Sequence, residues 1–153
     1  MAGGSNALTI TGAADIDGAF GGITNLSVSG TSNIGANITT TGTQGYTGAV
    51  TLGAGVTLSA SGLTTGSTIA ASSNNLTITS DAIDLGGNVS GSAALVIQPK
   101  TATTTMGIGT DASNTLNLSD TELSYLVDGF SSITVGSAAG TGAMALNYAS
   151  SYA

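Results

Sequence analysis

The sequence contains no cysteine, histidine, arginine or tryptophan, a single lysine, Lys100, and a single proline, Pro99. Each gap closes a class of function. Without histidine or cysteine, most nucleophilic, general-base and transition-metal chemistry loses its usual residue types. Serines are plentiful, but Lys100 is the only basic side chain that could activate one, so an enzyme is not expected and no cofactor is implied. The absence of cysteine removes any disulfide framework and fits a secreted bacterial protein as well as a cytosolic one.

Positive charge is equally scarce. Eight acids (Asp15, Asp17, Asp81, Asp84, Asp111, Asp120, Glu122 and Asp128) face one lysine, for a net charge of -7. Phosphate backbones and anionic lipid surfaces are bound through Lys and Arg, so neither nucleic acid nor a charged membrane surface is an expected partner. The longest unbroken apolar run, Ala93 to Ile97, falls far short of the ~20 residues of a spanning helix, so no membrane insertion is expected. Met1 to Asn6 carries neither a basic nor an apolar stretch, and no signal peptide is predicted there.

What remains is a chain of small residues: 25 Thr, 24 Gly, 22 Ala and 20 Ser among 153 positions. It still carries 13 Leu, 11 Ile and 7 Val, more aliphatic surface than disordered chains hold, and it lacks the strict glycine period of collagen. A short phrase recurs: Leu8-Thr9-Ile10-Thr11, Leu26-Ser27-Val28-Ser29, Val56-Thr57-Leu58-Ser59, Leu76-Thr77-Ile78-Thr79 and Leu116-Asn117-Leu118-Ser119. Apolar and small polar residues alternate in each, the period of a short strand with one buried face. Successive phrases lie about 20 residues apart, with further short apolar pairs between them fenced by Gly, Asn and Ser turn residues.

A repeat of that length holding two or three short strands predicts one coil of a parallel β-solenoid. An antiparallel sandwich would bring more aromatics and more hairpin turns than Asp17-Gly18 and Asp128-Gly129 provide. The expectation is an all-β chain, a single solenoid domain over residues 1–153 with about seven coils of roughly 20 residues. The longer interval between Leu26 and Val56 predicts an irregular coil around 31–55. Ser119-Asp120-Thr121-Glu122 has capping-box spacing, and Leu123, Leu126 and Val127 follow at helical spacing. A short helix near 120–127 is therefore expected, within an excursion spanning 119–128 that bulges from the stack before a strand resumes at Ile133.

Thr39 to Gly53, containing Thr41-Gly42-Thr43-Gln44-Gly45-Tyr46-Thr47-Gly48, resembles a phrase common in filamentous-haemagglutinin-like proteins, the very large repetitive secreted proteins of bacteria. The stretch from Leu116 to Gly136 resembles another module of the same kind. The resemblance implies a right-handed parallel β-helix, a place at the cell surface or in the extracellular matrix, and a structural or adhesive role, with host-surface or matrix glycans as possible partners. It transfers no catalytic or binding residues.

Among candidate sites, Asp15 with Asp17 and Asp81 with Asp84 are the only close acid pairs. They are weak candidates for calcium, because the ion needs six to eight oxygens and the Gly-Gly-x-Gly-x-Asp nonapeptide is absent. If the coils align, Thr9 and Thr11, Ser27 and Ser29, Ser59 and Ser61, and Thr77 and Thr79 would share one face, the kind of array an ice-binding solenoid presents. A solenoid that binds carbohydrate, ice or calcium is thus the alternative to a structural role. Asn25, Asn37, Asn75, Asn88 and Asn117 begin formal glycosylation triplets, with turn use the simpler expectation. Neither end resembles a cap, so association with itself, end to end or edge to edge into an oligomer or filament, is expected, with Tyr148 and Tyr152 in the contact.

Overall fold

The computed structural model describes residues 6–109 and 114–147. The first coil holds β1 (Leu8–Ile10), β2 (Ala14–Ile16) and β3 (Phe20–Ile23), and the second β4 (Leu26–Val28), β5 (Ser32–Ile34) and β6 (Ile38–Thr40). β7 (Thr43–Tyr46), β8 (Val50–Leu52) and β9 (Val56–Ala60) form the third; β10 (Gly62–Thr65), β11 (Ile69–Ser72) and β12 (Leu76–Ser80) the fourth. The fifth holds β13 (Ile83–Leu85), β14 (Val89–Gly91) and β15 (Ala94–Gln98). After it come β16 (Met106–Gly109), β17 (Leu116–Leu118), the helix α1 (Asp120–Tyr125), β18 (Ser132–Val135) and β19 (Met144–Asn147).

Every strand pairing among the described residues is parallel. The strands stack into three sheets that wrap one core: β1-β4-β7-β10-β13, β2-β5-β8-β11-β14 and β3-β6-β9-β12-β15-β18. The chain is a β-solenoid. Its register reads Leu8, Leu26, Gln44, Leu63, Ile83 along one column, steps of 18 to 20 residues. Alternation decides which side chains enter the core. In β9 and β12, Val56, Leu58, Leu76 and Ile78 point in, while Thr57, Ser59, Thr77 and Thr79 sit on the outer side.

Five complete coils are present instead of about seven. The phrase at Leu116 does not continue the column of Val56, Leu76 and Leu95, whose next member is Ile133. β16 and β17 leave the stack and with β19 form a separate three-stranded sheet, β17-β16-β19. The stretch 31–55 is regular rather than irregular. Leu26 lies on the first sheet and Val56 on the third, so their separation is one coil plus two sides of the next. The repeat between them is β7, whose Thr-Gln-Gly-Tyr hides the apolar phrase.

Gln44 and Tyr46 of β7 both point into the core, exposed by 0% and 1%. The Tyr46 hydroxyl donates to Gln44 Oε1 (3.1 Å), and Gln44 Nε2 donates to the backbone carbonyls of Ile38 (3.1 Å) and Ser59 (2.9 Å). A buried polar pair is tolerated when its hydrogen-bonding groups are satisfied in this way. Burial pushes the Tyr46 hydroxyl pKa above its ordinary value, which keeps it a donor.

The turns repeat as faithfully as the strands. Gly12, Gly30, Gly48, Gly66 and Gly86 all follow the strands of the first sheet, at one corner of successive coils. The Gly30 N–H donates to the Gly12 carbonyl at 2.9 Å. A Cβ on Gly48 would stand 2.5 Å from the Gly30 carbonyl carbon and oxygen, so the corner can stack at strand spacing only without a side chain.

The helix begins where its capping box predicts. Ser119 Oγ accepts from the Glu122 N–H, and the Glu122 carboxylate accepts from the Ser119 N–H. It ends at Tyr125, short of Asp128 and Gly129, and it is not a bulge from the side of the stack. It packs against β13, the last strand of the first sheet, while Leu126 bridges Val89 of β14 and β18 pairs with β15. Helix, bridge and strand therefore occupy the three sides of a sixth turn, with Leu123 and Leu126 packed against the core.

Two substitutions test this packing in opposite directions. Gly48→Ala is expected to cost about 1–3 kcal/mol, because the clash is with backbone that can move only by shifting a coil. Ser32 lies between Ala14 and Val50 in an inward column, 2% exposed, and its hydroxyl has no hydrogen-bond partner. Ser32→Ala is expected to stabilise by about 1 kcal/mol. Equilibrium denaturation of both variants checks the two signs.

Candidate functional site

The outer columns of the sheets carry the residues that could meet a ligand. On the first sheet one outward column reads Thr9, Ser27, Gly45, Thr64, Asp84, and on the second Asp15, Asn33, Thr51, Ala70, Ser90. No aromatic or acidic residue repeats along either. On the third sheet Thr57 aligns with Thr77 and Val96, and Thr39 with Ser59, Thr79 and Gln98. Thr9 and Ser27 thus lie on one face and Ser59, Thr77 and Thr79 on another. The single Ser/Thr plane that aligned phrases would have formed is not present, because the matching phrases occupy different sides of the coil.

The two acid pairs are far apart in the stack, in the first coil and at the start of the fifth. Asp15 accepts a hydrogen bond from Asn33 Nδ2 (2.9 Å) in the coil below. Asp17 follows at the next corner and is exposed. Asp84 stands on the first sheet opposite Thr64. Asp81 is engaged elsewhere: its carboxylate accepts from the Thr101 N–H (2.7 Å), Thr101 Oγ1 (2.7 Å) and Thr104 Oγ1 (2.8 Å). Among the described residues no three acids come together in a group that could hold a metal ion. Tyr148 and Tyr152 lie outside the described residues.

Asp81 repeats a device used by asparagine at the same corner. Asn25 Oδ1 accepts from the Thr43 N–H (2.8 Å) and Thr43 Oγ1 (3.1 Å), one coil on. At the corner between the second and third sheets Asn37 and Asn75 accept from the N–H groups of Thr57 (2.7 Å) and Ala94 (3.1 Å). These side chains cross-link adjacent coils where the strand ladder is interrupted. Asn25, Asn37 and Asn75 are therefore employed in turns, as the simpler expectation had it.

The most distinctive surface is an end of the stack. Among the described residues nothing pairs with the outer edges of β1, β2 and β3, which terminate all three sheets together. Leu8, Ile10, Ala14 and Phe20 are half-buried there, whereas their partners one coil on, Leu26, Val28, Ser32 and Ile38, are fully buried. A cleft of about 510 Å³ opens at this end, lined by Ile10, Ala14, Asp15, Ile16, Asp17 and Phe20 among others. It was not singled out from the sequence, where Leu8 and Leu26 look alike.

The opposite end is partly closed. Glu122 Oε1 accepts from the Leu85 N–H (3.1 Å), the outward-facing donor of β13, and the Val127 N–H donates to the Val89 carbonyl (3.0 Å). At this end, among the described residues, only β18 keeps a free edge, with Ile133 44% exposed in an inward column. Met144 and Leu146 of β19 are exposed as well. The sequence had suggested no cap at either end; the helix serves as one, because its acidic first turn supplies the acceptor that the last strand lacks.

Compared with known proteins, the chain matches no family model, no curated protein and no solved structure. Among the described residues, no helix is long and apolar enough to cross a membrane.

Burial acts to raise the Asp81 pKa, but hydrogen bonds from the side chain and backbone of Thr101, the side chain of Thr104 and the backbone of Lys100 outweigh it and hold the carboxyl below its ordinary value. A depressed folded-state pKa adds stability above the unfolded value of about 3.9, lost as pH falls through the folded value. Asp81→Ala is expected to lower the melting temperature by roughly 2–4 °C at pH 7. That difference should shrink towards zero as the pH is taken below 3.9, which thermal denaturation across pH 2–7 measures.

Proposed function

We propose that this protein is a structural, adhesive β-solenoid of the bacterial cell surface or extracellular matrix, and that it associates end to end. The observation supporting this is the first coil: three parallel edge strands, unpaired among the described residues, border the half-buried Leu8, Ile10, Ala14 and Phe20. Parallel edges of that kind are templates for pairing with another chain. Solenoid ends that are not capped are the places where such arrays extend.

The composition supports the same role. Between Asp17 and Asp81 the chain carries no charged residue, so the flanks of the first four coils present mainly hydroxyl, amide and small apolar groups. Such a surface suits contact with polyhydroxylated matrix material more than with a charged ligand. Asn33 and Thr51 on the second sheet exemplify it. The resemblance of residues 39–53 and 116–136 to modules of filamentous-haemagglutinin-like proteins points to the same setting.

Sedimentation velocity across a wide protein concentration range, combined with negative-stain microscopy, tests the proposal. Particles are expected to lengthen along the solenoid axis as concentration rises, with no change in width. A strictly monomeric species at every concentration would reject end-to-end association.

A further inference from the structure

The two ends of the stack are not equivalent, and that decides what can sit on the open one. A coil continues a solenoid by pairing on every side. The end bearing α1 cannot offer this: its first side is a helix whose Glu122 carboxylate already accepts from Leu85, and its second is taken up by Leu126 and Val127. On the third side β18 is free among the described residues. Among the described residues, only the first coil presents three free edges around the end of the core.

We propose that two copies of this chain join through their first coils, open end to open end, about a two-fold axis. This rests on the end-to-end association proposed above and names its partner. An axis passing through the middle of β3 and the opposite corner, at Gly12 and Ala13, sets β3 against its own counterpart and β1 against β2 of the other copy. All three pairs then run antiparallel, a geometry that parallel edge strands adopt when one copy is inverted. The contact covers the apolar rim of Leu8, Ile10, Ala14 and Phe20, leaving these residues as enclosed as Leu26, Val28, Ser32 and Ile38 one coil on.

Such an interface is isologous and closes on itself, so it yields a rod of two solenoids and no fibre. Gly21 and Gly22 distort β3, where the register with β6 shifts between Phe20 and Ile23, so the apolar rim and the pairing of β1 with β2 carry most of the contact. One coil's cross-section is small, which places the association among weak, concentration-dependent interfaces.

The charge distribution regulates it. Asp15 and Asp17, both exposed beside the open cleft, are the only charges in the first four coils. Pairing first coils brings four like charges to one junction. The screening length falls from about 10 Å at 0.1 M salt to about 3 Å at 1 M, so association strengthens with salt. Replacing both acids by Asn is expected to lower the dissociation constant at low salt by roughly threefold, the scale of a surface charge pair.

The chain has no cysteine, so single-cysteine variants report contacts without background. Ala13 is exposed near the proposed axis, and Ser132 is exposed on β18 at the other end. Under mild oxidation at high salt, Ala13→Cys is expected to form a covalent dimer by itself, and Ser132→Cys to remain monomeric. A cross-link that appears only when the two variants are mixed, or one formed by Ser132→Cys alone, overturns the same-end contact while leaving end-to-end association standing. Wild-type association with no cross-link through Ala13→Cys overturns it as well. A wild type that stays monomeric in sedimentation at all concentrations and salts removes the underlying proposal along with this one.

Discussion

The structure depends on one constraint, the in-register hydrogen-bond ladder that runs along the axis from each coil to the next. Because parallel strands pair only with the coil above and the coil below, a residue's surroundings are dictated by what occupies its column one coil away. Leu76 sits between Val56 and Leu95, and Ile78 between Leu58 and Ile97. The core is narrow, so small numbers of aliphatic side chains fill it. The same spacing governs the corners, where backbones meet at strand distance and a Cβ on Gly30 or Gly48 would strike the glycine one coil before it. The richness in Gly, Ser, Thr and Ala follows from the ladder.

Where the ladder is interrupted at a corner, side-chain oxygens replace it. Asn25, Asn37, Asn75 and Asp81 each accept from a backbone N–H about one coil on. These residues are the ones that formal motifs would assign to glycosylation or to metal binding. Their positions explain why a carboxylate at Asp81 and an amide at Asn25 serve one purpose: both present an acceptor oxygen to a threonine N–H and hydroxyl in the next coil. Gln44 serves the same end from inside, holding the carbonyls of Ile38 and Ser59 while Tyr46 satisfies its remaining oxygen.

At the ends the ladder must stop, and the chain stops it differently at each. Beyond β13 the capped helix supplies Glu122 as an acceptor, consuming an edge that would otherwise attract a partner. Before β1, β2 and β3 no described residue does so. The half-burial of Leu8 and Phe20 against the full burial of Leu26 and Ile38 measures that difference on identical columns. The end-to-end association proposed for this chain rests on that asymmetry.

By itself the sequence determined the fold class, the coil length of about 20 residues and the capping-box helix, because alternation, turn residues and the Ser119 to Glu122 box act within a few residues of chain. It left the faces undecided. Leu26 and Val56 carry the same phrase yet belong to different sheets, and Thr43 to Tyr46 completes a coil without showing it. The phrase at Leu116 looks like one more repeat and lies outside the main stack. The lack of a cap before Leu8 was legible, but not that Leu8, Ile10, Ala14 and Phe20 stay half-buried there while Leu26, Val28, Ser32 and Ile38 are enclosed. Only the tertiary structure decided these points, because strand pairing joins residues 18 to 20 positions apart, and no local pattern records which side of a coil a strand will occupy.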